Sequence, residues 1–527
     1  MSQQERFYPI GIQTFSEIIS SGRVYVDKTD LMWKAQRLSK FVFLSRPRRF
    51  GKSLLSTTFK SFFEGRRDLF EGLKVMELER DWTAYPVIHL DLSMAKNEKT
   101  ESALQETLLF IMAPYAKEYN VTGILSPGKQ LSLIIRNAFE KTGKQVVVLI
   151  DEYDAPLLDV LHESELLDAF RRVMQEFYQV LKASEAMIRF CFITGVTKFS
   201  QLSIFSTINN LNNISMLPQF AAICGITETE LTTQLTPDVA LLAEVYEEPA
   251  DVTLARLKAR YDGYHFSWSS EDIYNPYSLL KAFANKVVDN YWFESGTPTF
   301  LINQLQQFDT DITALDDVEA SSSAFDSPTE AMTDALPLLY QSGYVTIKGY
   351  DRESDTYTLG IPNREVRVGL AYGLLPVYVG LKQDIVKLGF ALKFWRALKS
   401  GDIEGALRGM QTYFEGLPYI AGFKRKLAEV STAEGFYEWT FYLIFSMLNV
   451  YVRTQVKTIR GRADMVVHMP GVTYVFELKV NGTAQEAMEQ INSKGYAIPY
   501  TADGRVVKVG MRFSTETLAI EDWVVEG

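Results

Sequence analysis

Three groups of residues along this chain carry side chains of the type and spacing that chemistry requires. The first is Ser45-Arg46-Pro47-Arg48-Arg49-Phe50-Gly51-Lys52-Ser53, which follows the apolar run 41–44 and precedes a helical pattern reaching residue 63. In such a strand, loop and helix, backbone N–H groups and the helix N-terminus hold phosphate oxygens. A lysine reaches the outer phosphates and a hydroxyl joins a magnesium shell. Arg49 and Gly51 lie in the phosphate-holding loop, and Lys52 and Ser53 fit the two side-chain roles. Arg46 stands where the first glycine of a P-loop belongs, so only the second half of that pattern is met. Taken alone, Gly-Lys-Ser also fits a helix N-terminus with a solvated lysine.

The second group lies about a hundred residues downstream. The aliphatic run 146–150 reads as a buried parallel strand, and it ends in Asp151-Glu152. An Asp at the C-terminal end of such a strand lies where open α/β sheets bind ligands. Asp151 is therefore expected on magnesium and Glu152 on the attacking water. The alternative is an acidic turn after a core strand. A further strand over 188–193 ends in Thr194, a candidate γ-phosphate sensor or a simple strand-end tie.

The third group is a hairpin. Residues 456–468 and 473–480 flank Met469-Pro470-Gly471-Val472, and Pro-Gly favours a type II turn. A hairpin centred between Pro470 and Gly471 pairs residues whose numbers sum to 941, which sets Asp464 opposite Glu477. Directly opposed residues share a face. By the two-residue period, Glu477 and Lys479 also share one. Two adjacent carboxylates repel unless a cation joins them. A divalent metal held by Asp464 and Glu477, with Lys479 beside it, is the chemistry of phosphodiester hydrolysis. Surface ion pairs with Lys479 and Arg462 are the plainer reading.

These groups need elements to position them, and the chain is long enough to supply more than one core. Its 527 residues, 47% hydrophobic and 23% charged, predict two or three globular domains. Residues 86–91 add a strand between those of Lys52 and Asp151, an order that suits the additional-strand class of P-loop ATPases. Two cysteines exclude a disulfide framework, and four scattered histidines offer no zinc spacing, so any metal is expected on oxygen ligands. A net charge of −11 argues against a protein that coats nucleic acid. Basic and acidic residues are equal in number over 453–527. The N-terminus lacks a signal-peptide pattern and the strongest apolar stretch, 439–452, is short for a bilayer. A cytoplasmic protein without membrane contact is expected. The acidic, Ser-rich run 309–326 reads as a loop or linker.

At this point the wording resembles a known family. Pro9-Ile10-Gly11, Val26-Asp27-Lys28-Thr29, the loop of Lys52, Asp151-Glu152-Tyr153-Asp154 and Ile193-Thr194-Gly195-Val196 resemble the AAA-ATPase-like family common in gut and anaerobic bacteria, as do Phe205-Ser206, Asn209-Asn210-Leu211, Tyr261-Asp262-Gly263-Tyr264 and Asn275-Pro276-Tyr277. The Arg-for-Gly loop is usual in that family. The resemblance implies ATP and Mg2+ as cofactors, and an adenine edge near residues 26–29. Gly461-Arg462-Ala463-Asp464, Glu477-Leu478-Lys479, Gln490 and Lys494-Gly495-Tyr496 resemble the PD-(D/E)XK nuclease superfamily domain that follows such modules. It implies a catalytic Gln490 and a further metal-binding acid, Glu434. Ser431-x-x-Glu434 is equally a capping box, and both readings stand.

The expected architecture is α/β, with an ATPase domain over 1–226 holding a parallel P-loop sheet. A helical or winged-helix-like connector follows over 227–380, with a small hairpin from 343 to 359. A restriction-endonuclease-like α/β domain with an N-terminal helical part fills 381–527. The expected partner is nucleic acid, with homo-oligomer formation open. Two rival readings are a nucleotide switch whose C-terminal domain only binds, and an ATP-driven remodeller of a protein or nucleic acid.

Overall fold

The computed structural model describes residues 6–527 except 124, 162, 199–209, 296–300, 302–304, 306–307, 309, 311–314, 328–331, 333, 379–392, 395, 416–450, 459–460, 470, 481, 502–503 and 515–518. Glu434, Phe205, Ser206 and Asn209 fall outside the described residues. By contacts the chain divides into two units. One is residues 1–292, 299–308 and 319–363, and the other is 293–298, 309–318 and 364–527. The segment expected as a connector is thus shared between them, most of it with the first.

The first unit is built on five strands: β1 (Phe41–Ser45), β2 (Val87–Asp91), β3 (Val146–Asp151), β4 (Ile188–Gly195) and β5 (Asn212–Asn213). All pair in parallel, in the order β2-β3-β4-β1-β5. The strand found between β1 and β3 in sequence therefore lies outside β3 in space, and β4 is inserted between them. That insertion is what the additional-strand class means. β1 and β3 are buried at every residue, as strands covered on both faces must be.

The helices explain that burial. On one face lies α1 (Lys52–Phe63), whose Phe59 ring sits 5.1 Å and 4.9 Å from those of Phe190 and Phe192. The alternate residues of β4, Cys191 and Ile193, join a second core with α2 (Glu101–Glu118), α3 (Pro127–Thr142) and α4 (Ser164–Ala183). On α4 the buried residues Leu167, Phe170, Val173, Met174, Phe177, Tyr178 and Leu181 form one helical stripe. Helices over 228–285 pack Leu231, Leu257 and Leu279 with Val24 into a separate core. The expected hairpin is present as β6 (Thr346–Asp351) and β7 (Thr356–Gly360), preceded by the short helix α5 (Leu336–Ser342).

The second unit holds a mixed sheet of β8 (Tyr451–Thr458), β9 (Gly461–Met469), β10 (Val472–Val480), β11 (Arg505–Ser514) and β12 (Ala519–Glu526), in that order. Neighbours are antiparallel except β10 and β11, which are parallel. That parallel pair requires a crossover, supplied by α6 (Ala484–Lys494). Thr483 begins α6 with a capping box to Glu486. Gly510 on β11 lets the helix lie close, since a Cβ there would fall 2.5 Å from the Ala484 carbonyl oxygen and 2.7 Å from the Met488 nitrogen.

Candidate functional site

At the C-terminal end of β1 the chain turns through Arg49 at φ 66° and Gly51 at φ 91° before α1 begins at Lys52. Lys52 is buried, and its Nζ donates to the Pro47 carbonyl across the loop at 3.2 Å. Arg46 does not face the loop. Its guanidinium is 2% exposed and donates to the carbonyls of Ser45 (2.9 Å), Ser215 (2.7 Å), Phe220 (3.1 Å) and Ala221 (3.4 Å), with the Phe266 ring 4.1 Å away. Burial pulls its pKa to about 10, which leaves it charged. The residue replacing the first glycine thus ties the loop to the segment after β5. The Arg49 guanidinium lies 4.0 Å over the Tyr277 ring.

The acidic group stands at the end of β3. Asp151 is 2% exposed, and burial pushes its pKa up to about 6 against the opposing effects of the Ser53 hydroxyl and Lys52. Glu152 has the left-handed φ of 52°, and its N–H donates to Asp151 Oδ1 at 2.9 Å. Burial would raise the Glu152 pKa, but Lys52, Lys96 and Arg48 outweigh it and hold the carboxylate below its usual range. Lys96 Nζ lies 3.7 Å from it. Thr194 is fully buried and donates to the Leu44 carbonyl at 2.8 Å, so its hydroxyl closes β4 onto β1.

Sequence reasoning assigned no role to the fourth residue of Asp151-Glu152-Tyr153-Asp154. Asp154 is fully buried, and its Oδ2 accepts from Val196 N (3.1 Å), Thr197 N (2.6 Å) and Thr197 Oγ1 (2.6 Å). It binds the turn after β3 to the turn after β4. Its signal was the second Asp of the motif. The Asp27 carboxylate accepts from Thr29 and Lys74, and Lys28 pairs with Glu230. Those side chains are committed locally. Tyr25, Val26 and Lys28 line an apolar cleft with Gly51, Leu54, Gly225 and Pro276.

In the second unit β9 and β10 pair with Met465 opposite Phe476 and Met469 opposite Val472, the register expected from the Pro-Gly turn. Gly471 has the φ of 82° that a type II turn needs at its third residue. Asp464 Oδ2 accepts the Leu478 N–H at 2.8 Å. Glu477 is 1% exposed, its Oε1 lies 3.7 Å from Lys479 Nζ, and its Oε2 has no hydrogen-bond partner among the described residues. Burial and the Asp464 charge push the Glu477 pKa up to about 8, with Lys479 opposing them. Val475, on the same face, packs with Met488 and Ile491 of α6. Gln490 on that helix sets its Nε2 3.5 Å from the Tyr496 hydroxyl.

Both sites fit the groups their chemistry implies. An orphaned oxygen on a buried carboxylate beside another acid is what a cation ligand leaves when counted without its cation. Ser53 and Asp151, which line one cleft at the foot of the loop, suit a magnesium ion carried with phosphates. No group of three or more His, Cys, Asp or Glu side chains converges among the described residues. The nuclease-like pair thus has two protein acids there, and Glu434 lies outside them.

Fold and sites together define a P-loop α/β protein joined to a nuclease-like α/β domain. Comparison with known proteins agrees. Residues 9–205 match the family described as predicted AAA-ATPase, and residues 432–523 match the PD-(D/E)XK nuclease superfamily. An Azotobacter chroococcum mcd 1 protein, described as uncharacterized and encoded in the vnfD 5' region, is 34% identical over 538 residues, covering 98% of each chain. The chain belongs to this family of AAA-ATPase-like proteins with a C-terminal PD-(D/E)XK nuclease superfamily domain. No helix among the described residues is long and apolar enough to cross a membrane.

Proposed function

We propose that this protein binds and hydrolyses ATP in its N-terminal domain and cleaves phosphodiester bonds of nucleic acid in its C-terminal domain, each with magnesium. The observation that carries the reading is the Glu477 carboxylate, 1% exposed beside Asp464 with one oxygen unpaired. An acid pair buried for structure alone would be selected against, because an uncompensated buried charge destabilises the fold.

At the first site, residues 46–51 and the start of α1 cradle the phosphates. Lys52 exchanges its Pro47 carbonyl for a phosphate oxygen. Ser53 and Asp151 hold the ion, and the ionised Glu152 accepts the proton of the attacking water. The cleft beside Tyr25 and Val26 takes the base. Arg49 and Thr194 act by fixing the loop and the strand end. At the second site Asp464 and Glu477 are metal ligands, with Glu434 as a proposed third. When bound, the metal supplies the charge that acidifies a water and stabilises the phosphoryl oxygens. Lys479 orients that water, and Gln490 on α6 positions its surroundings. The domains proposed for these tasks are 1–226 and 381–527, linked by 227–380, in a cytoplasmic protein.

A second reading is a nucleotide switch whose C-terminal domain binds without cutting. The Thr194 hydroxyl, spent on the Leu44 carbonyl rather than directed at a phosphate, favours it. Calorimetric titration separates the parts. Wild type should bind ATP and, independently, Mn2+. Glu477→Gln should lose the Mn2+ event that occurs without nucleotide and keep ATP binding, while Lys52→Ala should do the reverse. Unchanged Mn2+ binding in Glu477→Gln would remove the nuclease reading.

A further inference from the structure

We infer that Arg512 is a substrate-binding residue of the nuclease-like site, holding the nucleic-acid phosphate adjacent to the one at Asp464 and Glu477. The inference rests on the nuclease reading above and deepens it. In the parallel pair of β10 and β11, Glu477 is level with Gly510 and Lys479 with Arg512. Level residues in neighbouring parallel strands turn their side chains to the same face, about 4.8 Å apart. Arg512 therefore rises one strand spacing from Lys479, on the face that carries Glu477.

The position is set by packing. Level with Glu477, β11 has only Gly510, and a Cβ there would meet the Ala484 carbonyl oxygen and the Met488 nitrogen of α6. That place belongs to the helix backbone. Two residues on, Arg512 is the next on this face of β11, and there the strand carries a long side chain. Across the sheet from β9 to β12 the charges run Asp464, Glu477, Lys479, Arg512, Asp522, with the two cations side by side between acids. Exposure increases along β10 and β11 in the same direction, from 1% at Glu477 to 27% at Lys479 and 41% at Arg512. A polyanionic strand with one phosphate at the acid pair would set its neighbour over these cations.

The guanidinium is held loosely enough to serve. Its Nη2 lies 3.3 Å from Glu521 Oε2, in a pair open to solvent, and its Nε has no hydrogen-bond partner among the described residues. Half-exposed pairs of this kind contribute little to stability, whereas a guanidinium edge binds a phosphate through two parallel N–H bonds. Lys508 shares the face but is tied to Asn492 at 2.6 Å and Glu526 at 2.9 Å. The charge is local to this row, because 453–527 is balanced overall.

The test is binding of labelled single-stranded DNA, duplex DNA and single-stranded RNA to the full chain in Ca2+, followed by fluorescence anisotropy across salt concentrations. Arg512→Ala should weaken binding about tenfold and lower the salt slope by about one. Arg512→Lys should keep the slope, Glu521→Gln should tighten binding, and Lys508→Ala should match wild type. In cleavage, Arg512→Ala should raise KM with kcat retained. Wild-type affinity and slope in Arg512→Ala would overturn the assignment while leaving the nuclease reading intact. Should Arg512→Ala fail to fold, an unchanged affinity in Glu521→Gln would overturn it instead. Absence of binding by wild type to all three nucleic acids would defeat the nuclease reading, and Arg512 with it.

Discussion

At Glu477 the proposed function and stability oppose each other. A carboxyl group buried beside Asp464 binds its proton up to about pH 8 without metal, well above its ordinary range. At pH values near and above 8 the folded chain must hold two adjacent charges. Glu477→Gln removes one, so in EDTA at about pH 8 the variant should melt about 2 °C higher than wild type, the shift expected for ~1 kcal/mol in a unit of this size, and in Mg2+ it should lose all cutting. Differential scanning calorimetry checks the first and a gel assay the second. His89 offers a second pH test, in the cleft that Ser53 and Asp151 also line. Burial, with Lys60 adding to it, lowers its pKa to about 4 from 6.5, and its Nε2 meets Ser56 Oγ at 3.1 Å. The folded state thus binds fewer protons than the unfolded chain. Stability from this group is full above pH ~6.5 and falls as pH drops toward about 4. His89→Gln should flatten that acid limb in a pH series of urea midpoints.

Some of these residues were legible in the letters and others were not, for identifiable reasons. Asp464, Glu477 and Lys479 could be brought together because a Pro-Gly turn fixes a register and a register fixes faces. Lys52 and Asp151 sit at strand ends marked by aliphatic runs. Arg46 and Asp154 have partners that are backbone groups at 215–221 and 196–197. Backbone groups leave no mark in a sequence.

At the scale of elements, order along the chain does not encode order across a sheet. Residues 86–91 read correctly as a strand, but only pairing reveals that β2 is the edge and β4 the insert. Two substitutions probe how the elements are fastened. Arg46→Met leaves four carbonyls of the loop and the segment after β5 without their donor, and should cost about 3 kcal/mol, with nucleotide affinity falling in step. Urea denaturation beside ATP titration measures both. Gly510→Ala forces α6 off β11 because the clash is with backbone on both sides. It should cost about 2 kcal/mol and should reduce cutting by displacing Gln490. A melting point equal to wild type would show that the helix is not seated through that glycine.

For the whole molecule, two units each contain a hydrophobic core and their own cluster of reactive side chains. The net charge of −11 and the balanced C-terminal segment mean that nucleic acid is not gathered by bulk attraction. On the proposed reading recognition is local, in the row from Asp464 to Arg512. The measurement that tests the two-site account most directly is a single assay of ATP hydrolysis and oligonucleotide cleavage in Mg2+, run on wild type, Lys52→Ala and Glu477→Gln. Wild type should show both activities, Lys52→Ala should lose hydrolysis, and Glu477→Gln should hydrolyse ATP without cutting. Cleavage by Glu477→Gln at the wild-type rate would contradict the account.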